Sequence, residues 1–359
     1  MDVTRGRCAF PRIRYGGEMK LITLALAALP LISLPLLSSA TKPVAPRAAS
    51  PTGQEPASEA PRRAVLVTGA SSGIGRRTAE YLAENEFFVY AGARKDADLA
   101  ELDALENVQG IRLDVTKPDQ IAAAVKTVRE AGRGLHGLIN NAGVFVLAPL
   151  AEVTEEDLHF QMNVNVYGPY RVTKAFADLL IESQGRVSTT GSISGHATWG
   201  LGGPYTMSKH AVEAYTDVLA LELEPLGVKV SIVEPGNFRS QIFQSTVERL
   251  QARGYTAEGS RYEAQLKGFL ARDQSRSDAA DPLPVAKAFL DAMTSETPKR
   301  RYMVTPNQRE ADLTLGAALK RIAELNQDQP FSVSRADLHS ALDSALDRAL
   351  DRALDAVGR

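Results

Sequence analysis

A strand-length apolar run, residues 64–68 (AVLVT), passes without a break into the glycine-rich stretch 68–75 (TGASSGIG), and residues 74–84 then carry a helical period. That junction admits few folds. A strand ending in a glycine turn that opens a helix aims the helix's free N–H groups and positive dipole end past the strand, ready for a phosphate. The first glycine permits a tight turn, the second lets backbone amides approach a pyrophosphate, and the third lets the helix pack close to the sheet. Further strand-length runs stand at 87–91, 108–113, 135–140 (LHGLIN), 186–190 and 228–234 (VKVSIVE), and a last edge strand fits 301–305. Helical stretches at 118–131, with Pro118 in the first turn, and at 155–182 and 204–226 separate them. The alternation predicts an α/β fold with a doubly wound parallel sheet covered by helices on both faces. Residues 62–308 suffice for one such domain.

A net charge of −2 with 44% hydrophobic residues describes an ordinary globular chain, and its dispersed basic residues argue against a nucleic-acid partner. The single cysteine, Cys8, excludes a disulfide framework or a structural zinc site from the domain. His136, His159, His196, His210 and His339 show no metal-ligand spacing, so no metal is expected. Residues 21–37 form an uncharged, mostly aliphatic run preceded by Arg5, Arg7, Arg12, Arg14 and Lys20. The run is of borderline length for a bilayer span, and Pro30 and Pro35 would kink it. Ser38-Ser39-Ala40 offers the small residues of a signal-peptidase site, so within 1–40 an anchor and a cleaved signal both fit. Residues 41–61, rich in Pro, Ala and Ser, read as a linker. In the C-terminal extension, 309–359, Leu338, Leu342, Leu346, Leu350 and Leu354 recur every four residues among Asp and Arg. That spacing predicts an amphipathic helix, docked on its own domain or on a partner subunit of a homo-oligomer.

Tyr205 and Lys209 lie four apart in a helical stretch and so share one face. A tyrosine with pKa near ~10 is a poor proton carrier at neutral pH, and a neighbouring ammonium is expected to lower it into the working range of general acid–base catalysis. The second strand ends Ala93-Arg94-Lys95, where a site for NAD places an acid to bind the ribose 2′-hydroxyl. A carboxylate there would repel a 2′-phosphate, whereas Arg94, supported by Lys95, would bind it; NADP is therefore expected, with NAD as the alternative and Asp96 and Asp98 nearby.

With glycines at 69, 73 and 75, Asn140-Asn141-Ala142-Gly143 after the fourth strand, and the Tyr205/Lys209 pair, the chain resembles the oxidoreductase branch of the short-chain dehydrogenase/reductase family. The resemblance runs from about residue 62 to 240, more loosely to about 306, and implies a Rossmann-type sheet. It implies that Gly69, Ser71, Ser72, Gly73, Ile74 and Gly75 cradle the cofactor, with Arg94, Lys95, Val115, Tyr205 and Lys209 beside it. Asp114 would bond the adenine amino group, Asn140 would brace the central strand, and Asn141, Ala142 and Gly143 would border the cofactor. Pro235 and Gly236 would pass beside the nicotinamide. Ser192 matches the catalytic serine, with Ser194 as competitor, and Asn165 the asparagine that holds a water in the proton relay, with Asn163 as competitor.

Residues 205–238 look most like steroid and retinol dehydrogenases, implying a small hydrophobic alcohol or carbonyl substrate. Trp199, Leu201 and Phe243 would serve as pocket walls or as core packing, and 237–280 is charged and glutamine-rich. A non-catalytic dinucleotide sensor would be expected to lack one of the tyrosine, lysine or serine. The epimerase/dehydratase branch usually has shorter glycine spacing and lacks the Asn-Asn-Ala-Gly motif. An NADP enzyme needs a replenished cofactor pool, which a cytoplasm supplies. Retention of 21–37 as a membrane anchor, with the catalytic domain on the cytoplasmic side, is therefore expected; the basic flank instead favours export, with cleavage near Ala40.

Overall fold

The structure, a computed structural model, describes residues 62–357 apart from 273 and 275. The apolar run 21–37 and the linker 41–61 lie outside the described residues. Among those residues, no helix is long and apolar enough to cross a membrane.

Strands β1 (Arg63–Val67), β2 (Phe87–Ala93), β3 (Val108–Arg112), β4 (Gly137–Asn140), β5 (Arg186–Thr190), β6 (Lys229–Pro235) and β7 (Arg301–Val304) pair in parallel in the order 3-2-1-4-5-6-7. The doubly wound expectation holds. Alternate residues of each strand serve opposite faces. Ala64 and Leu66 join Leu138, Val187 and Phe176 on one side, while Val65 and Val67 join Ile139, Val233 and Phe289 on the other. Each fully buried aliphatic or aromatic side chain contributes about 1.5–3 kcal/mol, which is why the strands read as nearly unbroken apolar runs.

Helices α1 (Gly73–Glu84), α2 (Asp96–Asp103) and α9 (Leu283–Thr294) cover one face, and α3 (Pro118–Glu130), α5 (Tyr167–Glu182) and α6 (Gly203–Leu223) the other. The helix expected over 155–182 is two, α4 (Glu155–Asn165) and α5, with Val166 off helical geometry at φ −115°, ψ −57°. Pro169 is the reason: it has no N–H to donate back to Asn165, and its ring crowds that carbonyl.

The charged stretch 237–280 folds into α7 (Ile242–Ala252) and α8 (Glu263–Leu270). Its few apolar residues fall at helical spacing, and Ile242, Phe243, Leu250, Leu266 and Phe269 gather around Phe145 and Leu147 in a third core. Beyond β7 come α10 (Gln308–Asn326) and α11 (Arg335–Val357). The leucine repeat does form a helix; of its leucines with described side chains, Leu342, Leu346 and Leu350 are exposed and Leu338 is half-buried.

Candidate active site

The strand order reverses between β1 and β4, and a crevice opens where two neighbouring strands send their chains to opposite faces. Here the crevice is a cleft of about 450 Å³ at the carboxyl ends of the central strands. Its floor is the glycine turn. Gly69 takes φ +64°, a left-handed conformation, and a Cβ on it would stand 2.8 Å from the Cα of Ala142. A Cβ on Gly75 would collide with the carbonyl oxygen of Gly69 and the side chain of Asn141. With no side chain there, α1 starts directly under the cleft with its first-turn N–H groups free for an anion, the cradle a dinucleotide phosphate needs.

Asn141, more than Asn140, fastens this end. Its Nδ2 donates to the carbonyls of Thr68 (3.0 Å) and Gly69 (3.1 Å), and its Oδ1 accepts from the Thr190 hydroxyl (3.2 Å), tying together the ends of β1, β4 and β5. Asn140, expected as the brace of the central strand, donates to Thr173 on α5 (2.9 Å), tying the end of β4 to its covering helix. Asp114 lines the cleft with Oδ1 accepting from the amide and hydroxyl of Thr116. Arg94 lines the cleft, but Lys95 does not: it precedes α2 as an exposed N-cap position. Asp96 is paired with Arg112, which removes it as a rival charge beside Arg94.

The chemistry gathers on the opposite wall. Pro204 sets the first turn of α6, and Tyr205 and Lys209 follow on one face. Lys209 Nζ donates to the carbonyl of Thr190 (2.7 Å) and lies 5.6 Å from the Tyr205 ring centroid. The Tyr205 ring meets Phe145 edge-on, with centroids 5.3 Å apart. Burial raises the Tyr205 pKa, the Ser192 hydroxyl opposes that rise, and the charge of Arg276 opposes it further. Burial also lowers Lys209 to about 8, against the charge of Glu213. Burial of both groups works against the expected lowering of the phenol by Lys209. Desolvation penalises both charged forms, and the ammonium is spent on a backbone carbonyl.

Ser192 and Ser194 both line the cleft, but it is Ser192 whose hydroxyl acts on Tyr205. Asn165 does not line it. Its Oδ1 accepts from the amide of Val144 (2.9 Å), and its Nδ2 donates to the carbonyl of Val144 (3.0 Å) and to Ser208 Oγ (3.1 Å). Ser208 in turn donates to the carbonyl of Tyr205 (2.7 Å), so the Asn165 side chain helps position the first turn of α6. Asn163 is turned to Arg171 (2.8 Å). Ala142, Gly143, Val115, Pro235 and Gly236 all border the cleft. Trp199 and Phe243 line it too, while Leu201 packs in the third core.

Several lining residues escaped sequence reasoning. Ser240, four residues past Gly236, stands 3.2 Å from where a side chain at Gly73 would begin, at the phosphate end. Arg249 and Arg276 line the other end, and no motif marks them. Behind the Ser192 loop, His196 Nε2 lies 3.3 Å from Glu234, and Arg301 Nε lies 3.1 Å from Glu213 and 3.4 Å from Glu234. These ligand-type side chains come from separate elements, so histidine spacing could not announce them. Arg301 already supplies the positive charge that the two carboxylates require. Burial pushes Glu213 up to about 7, with the charge of Glu234 adding to the rise.

The short chain dehydrogenase family profile matches residues 63–251. Rat mitochondrial D-beta-hydroxybutyrate dehydrogenase is 35% identical over 263 residues, covering 68% of this chain and 77% of the relative. Mouse retinol dehydrogenase 5 is 36% identical over 254 residues, covering 66% and 79%. A short chain dehydrogenase/reductase from Burkholderia phymatum, solved in complex with NAD, superposes with a TM-score of 0.63 at 26% identity, covering 76% of this chain and 98% of that one. Fold, cleft and sequence agree: the chain belongs to the short-chain dehydrogenase family, as an oxidoreductase that resembles its steroid and retinol dehydrogenases.

Proposed function

We propose that the chain is an NADP-dependent oxidoreductase that interconverts an alcohol with a ketone or aldehyde, using Tyr205 as the general acid–base. The observation that carries this reading is the convergence of Ser192, Tyr205 and Lys209 on one wall of a cleft whose floor is an anion-binding glycine turn. The cradle from Gly69 to Gly75 and Ser240 would hold the pyrophosphate, Asp114 and Val115 the adenine, and Pro235 and Gly236 the nicotinamide end. When bound, the nicotinamide supplies a hydride to the substrate carbon in reduction and accepts it in oxidation.

The chain's own residues manage the proton. Burial keeps the Tyr205 phenol protonated, which suits it to donate to a carbonyl oxygen; in oxidation the same oxygen takes the proton back. Ser192, beside that phenol, orients the substrate oxygen toward it. Lys209 is pre-aimed by the Thr190 carbonyl and would meet a ribose hydroxyl when the cofactor enters. Asn165, through Ser208, keeps the first turn of α6 in register with the cleft.

The preference for NADP rests on Arg94, which lines the cleft, with the neighbouring Asp96 paired to Arg112. The names of the relatives divide between a hydroxy acid and a neutral lipid alcohol, so the substrate is proposed at this stage only as a small alcohol or carbonyl. Trp199 is the only tryptophan and lines the cleft, so its fluorescence reports binding directly. NADPH is expected to quench it at lower concentration than NADH. Arg94→Asp should shift that preference toward NADH by roughly tenfold or more, the loss of about one charge-assisted contact. An unchanged ratio would remove the case for NADP.

A further inference from the structure

We infer that the substrate carries a carboxylate, held by Arg276 at the far end of the cleft, so that the enzyme acts on hydroxy or oxo acids with an apolar body. The inference rests on the alcohol–carbonyl reading above and narrows it. The substrate end is walled by aromatic rings: Phe145 lies 5.3 Å from Tyr205, 5.1 Å from Phe243 and 5.9 Å from Trp199, centroid to centroid. Such walls suit an alkyl chain. They do not by themselves explain two arginines.

Arg276 lines the cleft with its guanidinium 5.3 Å from the centroid of Phe243, and its charge is felt at Tyr205. Arg249 also lines the cleft. One of its terminal nitrogens donates to the carbonyl of Phe145 (2.9 Å), its guanidinium stands 4.7 Å over Phe160, and its buried Nε has no hydrogen-bond partner. Burial lowers both arginines, the sign of cations held short of water. Asp278 and Glu310 lie near enough to act on Arg276, and Asp157 acts on Arg249. Glu310, the one acid lining this end among the described residues, is engaged through Oε2 by the amide of Asn237 (2.7 Å).

A neutral alcohol filling this chamber would take still more water from these guanidinium groups and return nothing. A carboxylate would replace that water with charge-assisted, planar hydrogen bonds, the geometry arginine matches best. Lys209 is not available for the task, since it is held by Thr190 beside the catalytic tyrosine. Arg276 is the better placed of the two arginines, because Arg249 is already held by the carbonyl of Phe145 whereas Arg276 stands against Phe243, in the same aromatic wall that meets Tyr205: one molecule can present a carbonyl to Tyr205 and a carboxylate to Arg276.

The test uses the full chain with NADP⁺, a series of 3-hydroxy acids of increasing length, and their methyl esters. The acid should exceed its own ester in kcat/KM by roughly tenfold or more. Arg276→Gln should bring that ratio close to one, and Arg276→Lys should keep part of it. Taking the ratio within each variant cancels general damage, and NADPH quenching of Trp199 checks that the variant is folded. Butanoate and butanamide supply a readout free of turnover: butanoate alone should perturb Trp199, and only with Arg276 in place. Esters or neutral lipid alcohols that equal the acids, or a ratio unchanged in Arg276→Gln, would overturn the inference while leaving the oxidoreductase reading intact. No turnover of any compound, with Arg276-dependent butanoate binding retained, would support the anion site and strike instead at the oxidoreductase reading. Absence of both signals overturns the inference.

Discussion

The two ends of the cleft are made of different material. The phosphate end is backbone: a left-handed glycine, a helix N-terminus, and an asparagine that staples three strand ends together. The substrate end is side chain: aromatic rings and two arginines delivered by α7 and by the stretch between α8 and α9. A backbone site admits little variation, because what it needs is the absence of side chains at set positions. A side-chain site can be rebuilt without disturbing the sheet. One scaffold can thus hold one class of cofactor and serve many substrates.

That contrast is broken most severely at Tyr205, where the two ends meet. Tyr205→Phe should lower turnover about 10²–10⁴-fold, the usual weight of a positioned proton donor, while cofactor affinity stays within a few-fold. A parallel loss of cofactor affinity would mean that the tyrosine belongs to the binding end. Gly75→Ala comes next. Its new methyl group meets a backbone oxygen that cannot swing aside, so NADPH affinity, read by Trp199 quenching, should drop roughly tenfold or more, with a lowered melting temperature. Phe243→Leu, a change of similar modesty at the other end, should raise KM for substrate a few-fold and leave NADPH affinity alone. Equal effects of these two changes on cofactor binding would erase the distinction.

The smallest effect lies outside both ends, in the buried charge cluster behind the Ser192 loop. Glu213 is pushed up to about 7 by burial and by Glu234, from the ordinary glutamate value of 4.5. Between those values the folded protein keeps a proton that the unfolded chain has lost, so stability falls as pH rises through that window. His196 has the same sign. Its hydrogen bond to Glu234 raises its pKa, and the stabilisation it brings is lost as pH climbs through the raised value. Glu213→Gln should therefore flatten the decline of melting temperature between about pH 5 and pH 8. A curve as steep as that of the parent would place the titration elsewhere.

How much of this could be read from the sequence follows the same division. The glycine turn, the strand pattern and the Tyr205/Lys209 spacing are local, and each stands where the chain alone says it should. The break between α4 and α5 was also written locally, in Gly168-Pro169, but the surrounding helical period masks it. What could not be read is non-local. Asn165 bonds to Val144 and Ser208, Arg301 joins Glu213 and Glu234 across three elements, and Arg276 lines the same cleft as a tyrosine far away in the chain. The burial that opposes the expected effect of Lys209 on Tyr205 is equally non-local: spacing places two groups together but does not report how much water each has lost.

The central claim, that this cleft moves a hydride while Tyr205 moves the proton, is tested most directly by watching the reduced-nicotinamide absorbance band. Protein loaded with NADPH is mixed with a panel of neutral ketones, aldehydes and oxo acids, in parallel with Tyr205→Phe. The account predicts loss of the band with at least one carbonyl compound, stoichiometric with alcohol formed, and almost none in the variant at matched NADPH occupancy. Tight NADPH binding with no carbonyl consumed, or an equal rate in Tyr205→Phe, would contradict it.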